Sequence, residues 1–245
     1  LDVFVHDRRT GATTRVSVAS DGSQSTDYSG NLGLALSADG RYVVFDSYAN
    51  NLVPGDTNGV PDVFVHDRQT GTTSRISVAS DGSQVYYGDI SFGLALSADG
   101  RYVAFGSSTG RLVPGDTNGK FDVFVHDRRT GTTSRVSLAS DGRQVYNDSG
   151  QAVISADGRH VGFMSFAGRL VPGDSNGAED VFVHDRRTGA TSRVSVASDG
   201  SQANEANSWP AVSADGRHVA FISRASNLVT GDTNRTEDVF VRIVR

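Results

Sequence analysis

Asp62-Val63-Phe64-Val65-His66-Asp67 is the stretch that decides the fold, because the 245-residue chain keeps returning to it. Its first four residues recur at Asp2, Asp122, Asp180 and Asp238, so successive copies are spaced by 60, 60, 58 and 58 residues. A fixed period of this size marks a solenoid, a propeller or an array, since each unit can bury its apolar face only against a neighbour. The units run over 2–61, 62–121, 122–179 and 180–237, with a partial fifth over 238–245. No linker or low-complexity stretch separates them, so 1–245 reads as a single domain.

Each unit reads as four short strands. In the copy that opens at Asp62, Val63 to His66 is β-rich, and Asp67-Arg68-Gln69-Thr70-Gly71 is a turn. Ser74-Arg75-Ile76-Ser77-Val78 alternates polar and apolar, the period of a strand, and Asp81-Gly82 ends it. Leu94 to Ser97 is the next strand, Ala98-Asp99-Gly100 a tight hairpin turn, and Arg101 to Phe105 the last strand before a long loop over 107–121. No helical periodicity persists for ten residues. Four antiparallel strands in tandem repeat make the blade of a β-propeller. A parallel β-helix has shorter coils and a leucine-rich repeat a shorter period, and neither accounts for two hairpins per unit.

The run Leu-Ser-Ala-Asp-Gly-Arg-Tyr-Val-Val-Phe over 36–45 recurs over 96–105, 154–163 and 212–221. It resembles the Ser-Pro-Asp-Gly core of TolB-like, WD-repeat-like bacterial propeller blades, with Ala38, Ala98, Ala156 and Ala214 where that family usually carries proline. The resemblance covers nearly the whole chain. It implies an inner strand Leu-Ala-Leu-Ser, then Tyr-Val-Val-Phe, then Val-Phe-Val-His, with Arg-Val-Ser-Val outermost. The family has no single activity, so it implies no particular chemistry. In this strand order the chain starts and ends on a third strand. The expectation is four blades, the closing one shared by both termini, with Thr13–Val18 beside Val239–Val241 and Leu1–His6 outside Thr13–Val18. The alternative is a part of a larger five- to seven-bladed propeller.

Composition narrows the function. A net charge of −5 argues against nucleic acid, which needs a basic face. The absence of cysteine excludes disulfides and thiolate chemistry, and no apolar run is long enough for a spanning helix. The sequence starts at Leu1, with no Met and no signal peptide, and reads as a processed or truncated product of a secreted or periplasmic, or cell-surface, bacterial protein.

Antiparallel order puts tight, arginine-rich hairpins on one face and long, variable loops on the other, where binding usually resides. Tyr28, Tyr86, Tyr87, Tyr146 and Trp209 fall in those loops and are candidate ligand contacts; the competing reading is that they anchor the loops between blades. Trp209, the only tryptophan, is either a contact residue or core at the start of an inner strand. The loops also carry Gly-Asp-Thr-Asn-Gly-x-x-Asp, placing Asp56, Asn58 and Asp62; Asp116, Asn118 and Asp122; and Asp174, Asn176 and Asp180 at one spacing. The fourth copy, Asp232, Asn234 and Asp238, has Arg235 for glycine. Such oxygen ligands around a sharp bend suit Ca²⁺, although the EF-hand pattern is not met; alternatively the Asp side chains cap an Asn-Gly turn. No cofactor is required by the sequence beyond this candidate structural calcium. His6, His66, His126 and His184 repeat one strand position and read as framework. No nucleophile elbow and no singular carboxylate pair stands outside the repeat, so catalytic residues are not assigned. The function expected is a non-enzymatic, extracellular propeller that binds a protein or a glycan through its long-loop face. A propeller enzyme with a central-funnel site, and a structural module of a larger protein, are the alternatives.

Overall fold

The computed structural model describes residues 1–85 and 90–244, which form seventeen strands. A leading pair, β1 (Phe4–His6) and β2 (Thr13–Arg15), is followed by the first complete blade, β3 (Ser29–Leu36), β4 (Tyr42–Ser47), β5 (Asp62–Asp67) and β6 (Thr72–Arg75). The second blade is β7 (Ile90–Leu96), β8 (Tyr102–Ser107), β9 (Asp122–Asp127) and β10 (Thr132–Arg135). The third is β11 (Ser149–Ile154), β12 (His160–Ser165), β13 (Asp180–Asp185) and β14 (Ala190–Arg193). The fourth consists of β15 (Asn207–Val212), β16 (His218–Ser223) and β17 (Asp238–Ile243). Every sheet is an antiparallel meander in sequence order, and the inner strands β3, β7, β11 and β15 lie side by side in succession. This is an all-β propeller. Among the described residues there is no helix long and apolar enough to cross a membrane.

The hydrophobic pattern follows from stacking. The third strands β5 and β9 are buried at all six positions because a sheet packs on either side, so their Val-Phe-Val centres are continuously apolar rather than alternating. Paired phenylalanines lie in each blade centre: Phe45 with Phe64, Phe105 with Phe124, Phe163 with Phe182 and Phe221 with Phe240, with ring centroids 5.8–6.0 Å apart. The fourth strand is four residues long and ends earlier than its alternation suggests. It stops at Arg75 rather than Val78, because Ile76 bonds back to the Val63 carbonyl and Val78 makes a separate bridge to Gln84.

Blades join on the hairpin face. The N–H of Ala38 donates to the Ala98 carbonyl, Ala98 to Ala156 and Ala156 to Ala214, one rung per interface. The Gly100 and Gly158 turns lie on the rings of Tyr42 and Tyr102 in the preceding blade, and the Gly216 turn lies on His160 in the same way. A β-carbon at any of the three would collide with the ring beneath it. Arg128 and Arg186 then cover Tyr42 and Tyr102 at 4.3 Å. The repeated histidines are framework: Nδ1 of His66, His126 and His184 lies 2.9 Å from the hydroxyl of Thr73, Thr133 or Thr191 on the adjacent strand.

The shared closing blade does not form. β1 and β2 pair with each other as expected, but they make a sheet of their own, while β17 is the free edge of the three-stranded fourth blade. The leading pair instead packs against the first blade. Val3 and Val16 are buried with Val43, Phe45, Leu52 and Phe64 of the first blade, and the Thr73 hydroxyl donates to the Val18 carbonyl. The leading pair is thereby fixed one step before the first blade, in the relation that β5 and β6 bear to the second. A closing blade's outer strands would occupy that same place, but β17 makes no ladder with β2, and Val239, Val241 and Ile243 stay 72%, 64% and 63% exposed.

Candidate binding site on the long-loop face

The inner strands begin on the long-loop face, and each carries a β-bulge there, between Ser29 and Leu34, Ser91 and Ala95, Gly150 and Val153, and Ser208 and Ala211. Counting back from the regular ladder, one bulge position is occupied in turn by Gly33, Gly93, Gln151 and Trp209. Glycine suits the crowding: a β-carbon at Gly93 would meet the Ala152 nitrogen at 2.6 Å, and Gly93 has φ +97°. Gln151 and Trp209 take the same role with φ +52° each, a left-handed conformation that costs a side chain about 1–2 kcal/mol. The Trp209 N–H donates to Oε1 of Gln151 at 2.8 Å, which links the third and fourth blades at the rim. The Trp209 side chain is 61% exposed. It therefore lies within an inner strand, at the bulge of β15, without joining the core.

Tyr28 and Tyr146 are also exposed, at 60% and 65%. Tyr28, Asp27, Asn31 and Tyr48 line a cleft of about 520 Å³ beside the leading pair. Tyr146 lines a second cleft of about 620 Å³ in the third blade, with Arg143, Asn147 and Arg169. Tyr86 and Tyr87 lie outside the described residues. Sequence reasoning missed Tyr48, Phe166, Gln151 and Arg169. Tyr48 and Phe166 occupy one repeat position, held by Ser108 and Arg224 in the other copies, and that variability was the available signal.

The Asp-Thr-Asn-Gly loops close on an arginine. In the second blade, Arg135 Nη1 lies 3.0 Å from Asp116 and 3.2 Å from Asp122. The Asn118 amide donates to Asp122 at 2.7 Å and to the Val145 carbonyl at 2.8 Å. Arg75 makes the same clamp on Asp56 and Asp62, and Arg193 on Asp174 and Asp180. Burial raises the pKa values of Asp56, Asp62, Asp116, Asp122 and Asp174 above the ordinary carboxylate range. In the fourth copy no arginine clamps the loop among the described residues; Asp238 accepts from Asn234 at 2.7 Å, and Asp232 and Asp238 are half-buried. Among the described residues, no group of three or more His, Asp or Glu side chains converges as a metal site.

The hairpin face is polar but internally paired. Arg101 holds Asp127 by two bonds of 2.8 and 2.6 Å, which lowers the Asp127 pKa to about 2. Near the inner strands, the buried Asp46 carboxylate accepts the backbone N–H groups of Asn31, Leu32 and Gly33 and serves as a bulge cap.

The blade architecture defines a TolB-like β-propeller fold. TolB from Acinetobacter baumannii is 20% identical and matches 99% of this chain with a TM-score of 0.54; an oligogalacturonate lyase in complex with manganese is 16% identical and matches 100% of it at 0.55. The oligogalacturonate lyase from Vibrio parahaemolyticus is 13% identical over 98%, at 0.52. The chain spans 48%, 59% and 58% of these three proteins respectively, and the likeness is one of fold. No family model matches the chain, and no curated protein matches it.

Proposed function

We propose that this chain is a non-enzymatic binding platform of a bacterial protein acting outside the cytoplasm, taking a protein or glycan on its long-loop face. The observation that carries this reading is Trp209. A large aromatic ring is held out to solvent at a rim position where glycine is the unstrained choice. Strain retained at an exposed aromatic residue is the pattern of a contact residue and not of packing. The Asp-Thr-Asn-Gly loops act in this reading as arginine-clamped turns that stiffen the platform. The test is Trp209→Ala against the unmodified chain, scored by capture on a glycan array and from culture supernatant, with melting followed in parallel. Lost capture with melting unchanged supports the platform, whereas unchanged capture removes Trp209 from it.

A further inference from the structure

The four copies provide an internal control for the cleft in the third blade. In the first blade, Asn51 pins the long loop: its Oδ1 accepts the N–H and hydroxyl of Thr26 at 3.1 and 3.0 Å, and its Nδ2 donates to the Gln24 carbonyl at 2.7 Å. The fourth blade repeats this lock, with Asn227 accepting from Asn204 at 3.0 Å and donating to the Gln202 carbonyl at 2.9 Å. In the third blade both partners have changed. Arg169 stands at the position of Asn51, and Tyr146 at that of Thr26. The lock is gone and the cleft of about 620 Å³ lies in its place. The second blade carries the same exchange in sequence, with Arg111 and Tyr86.

The cleft collects positive charge and an aromatic face. Among the described residues Arg169 has no acidic partner, and it lines the cleft together with the exposed Tyr146. Arg143, where the other copies have Ser23, Ser83 and Ser201, lines it as well. Among the described residues its side chain pairs with Asp141 at 2.6 Å, an exposed pair that a ligand can replace at little cost. Asn147 offers an amide without a partner among the described residues. A guanidinium fork matches a carboxylate, an exposed ring accepts the apolar face of a sugar, and an amide serves hydroxyls. A peptide would instead seek a free strand edge or a deep apolar pocket, and this cleft is walled by loops.

We infer that the Arg169–Tyr146 cleft is a binding subsite for a carboxylated sugar of a uronate-containing glycan. This rests on the platform reading and names one ligand class for it. The test is titration of the intact chain with an oligouronate, its carboxyl-reduced counterpart and a poly-glutamate peptide. The key variant is Arg169→Asn with Tyr146→Thr, which gives the third blade the pair that the first blade already folds with. The expected result is oligouronate binding that weakens at least tenfold in this variant, with melting unchanged, and that is at least tenfold weaker for the carboxyl-reduced sugar. Binding that ignores the double variant, equal binding of the reduced sugar, preference for the peptide, or no oligouronate binding overturns the inference. Trp209→Ala separates the two readings. Oligouronate binding lost in Trp209→Ala and kept in the cleft variant retains the platform and sinks the cleft, and capture of another ligand through Trp209 without oligouronate binding does the same.

Discussion

Replacing Arg135 by methionine removes one positive charge from between two buried carboxylates. The Arg135 side chain is 8% exposed, and those of Asp116 and Asp122 are 2% and 0%. Asp122 keeps its bonds from Asn118 and Ser137 at 2.7 and 2.5 Å. Asp116 keeps far less, because its Oδ1 has the ion pair with Arg135 but no aligned hydrogen bond. The variant would therefore hold two adjacent anions in a poorly hydrated site, and breaking a buried pair in this way costs about 3–5 kcal/mol. For a chain of this size that is a fall in melting temperature of about 6–20 °C. Adding Asp116→Asn and Asp122→Asn removes both uncompensated charges and should restore most of the loss. Calcium gives a second readout. Millimolar Ca²⁺ should raise the melting temperature of Arg135→Met, whose carboxylates are free to take a cation, and leave the unmodified protein unchanged. A loss below about 1 kcal/mol, or no rescue by the two Asn substitutions, would refute the clamp. Equal stabilisation of both proteins by Ca²⁺ would place the ion alongside the arginine and favour the sequence reading of a calcium loop.

Three further outcomes are expected. Trp209→Gly relieves the left-handed strain and exposes little new apolar surface, so stability should hold within about 1 kcal/mol while binding falls; a loss of about 3–5 kcal/mol by calorimetry would show a core residue instead. Gly158→Ala should cost about 2–4 kcal/mol in urea unfolding, strain plus collision with Tyr102, against about 1 kcal/mol for Gly173→Ala, which has a similar φ and open space around it. Burial holds the imidazoles of His66, His126 and His184 below the usual histidine pKa. The unfolded chain then binds more protons, so this contribution is complete above about pH 6.5 and is lost as pH falls through the folded values. The buried Asp62 and Asp122, with raised pKa values, act in the opposite sense, gaining stability as pH falls. The informative comparison is therefore His126→Gln with the unmodified chain, where the variant should lose less melting temperature between pH 7 and pH 5, and equal losses would contradict the assignment.

The blade was legible in the sequence because its signals are local. Asp-Val-Phe-Val marks a strand buried on both faces, and Ala-Asp-Gly marks a turn that must fit against a ring. What depends on distant pairing was not legible. The closing-blade expectation counted strands correctly, but whether β2 reaches β17 depends on the rotation summed over successive blade interfaces, which no local signal carries. The arginine clamps were visible only as a spacing, since Arg15, Arg75, Arg135 and Arg193 each follow the Asp of Asp-Val-Phe-Val by thirteen residues. Trp209 was singled out for its residue type. That it stands where glycine is the natural occupant emerged only once the bulge registers aligned the four inner strands.

The rungs from Ala38 to Ala98 to Ala156 to Ala214 all run in one sense, each blade donating to the next. Such an interface is head-to-tail, so the two sides of a blade are complementary and not alike. Any whole copy of the unit brings one donor side and one acceptor side and can be spliced between two others without redesigning either. Gain or loss of genetic material in steps of one period is therefore structurally silent at every existing contact, while a shorter insertion within a rung is not. The array is modular in heredity as well as in shape, and single copies are left free to diverge at their outer loops, as the third has done with Arg169 and Tyr146.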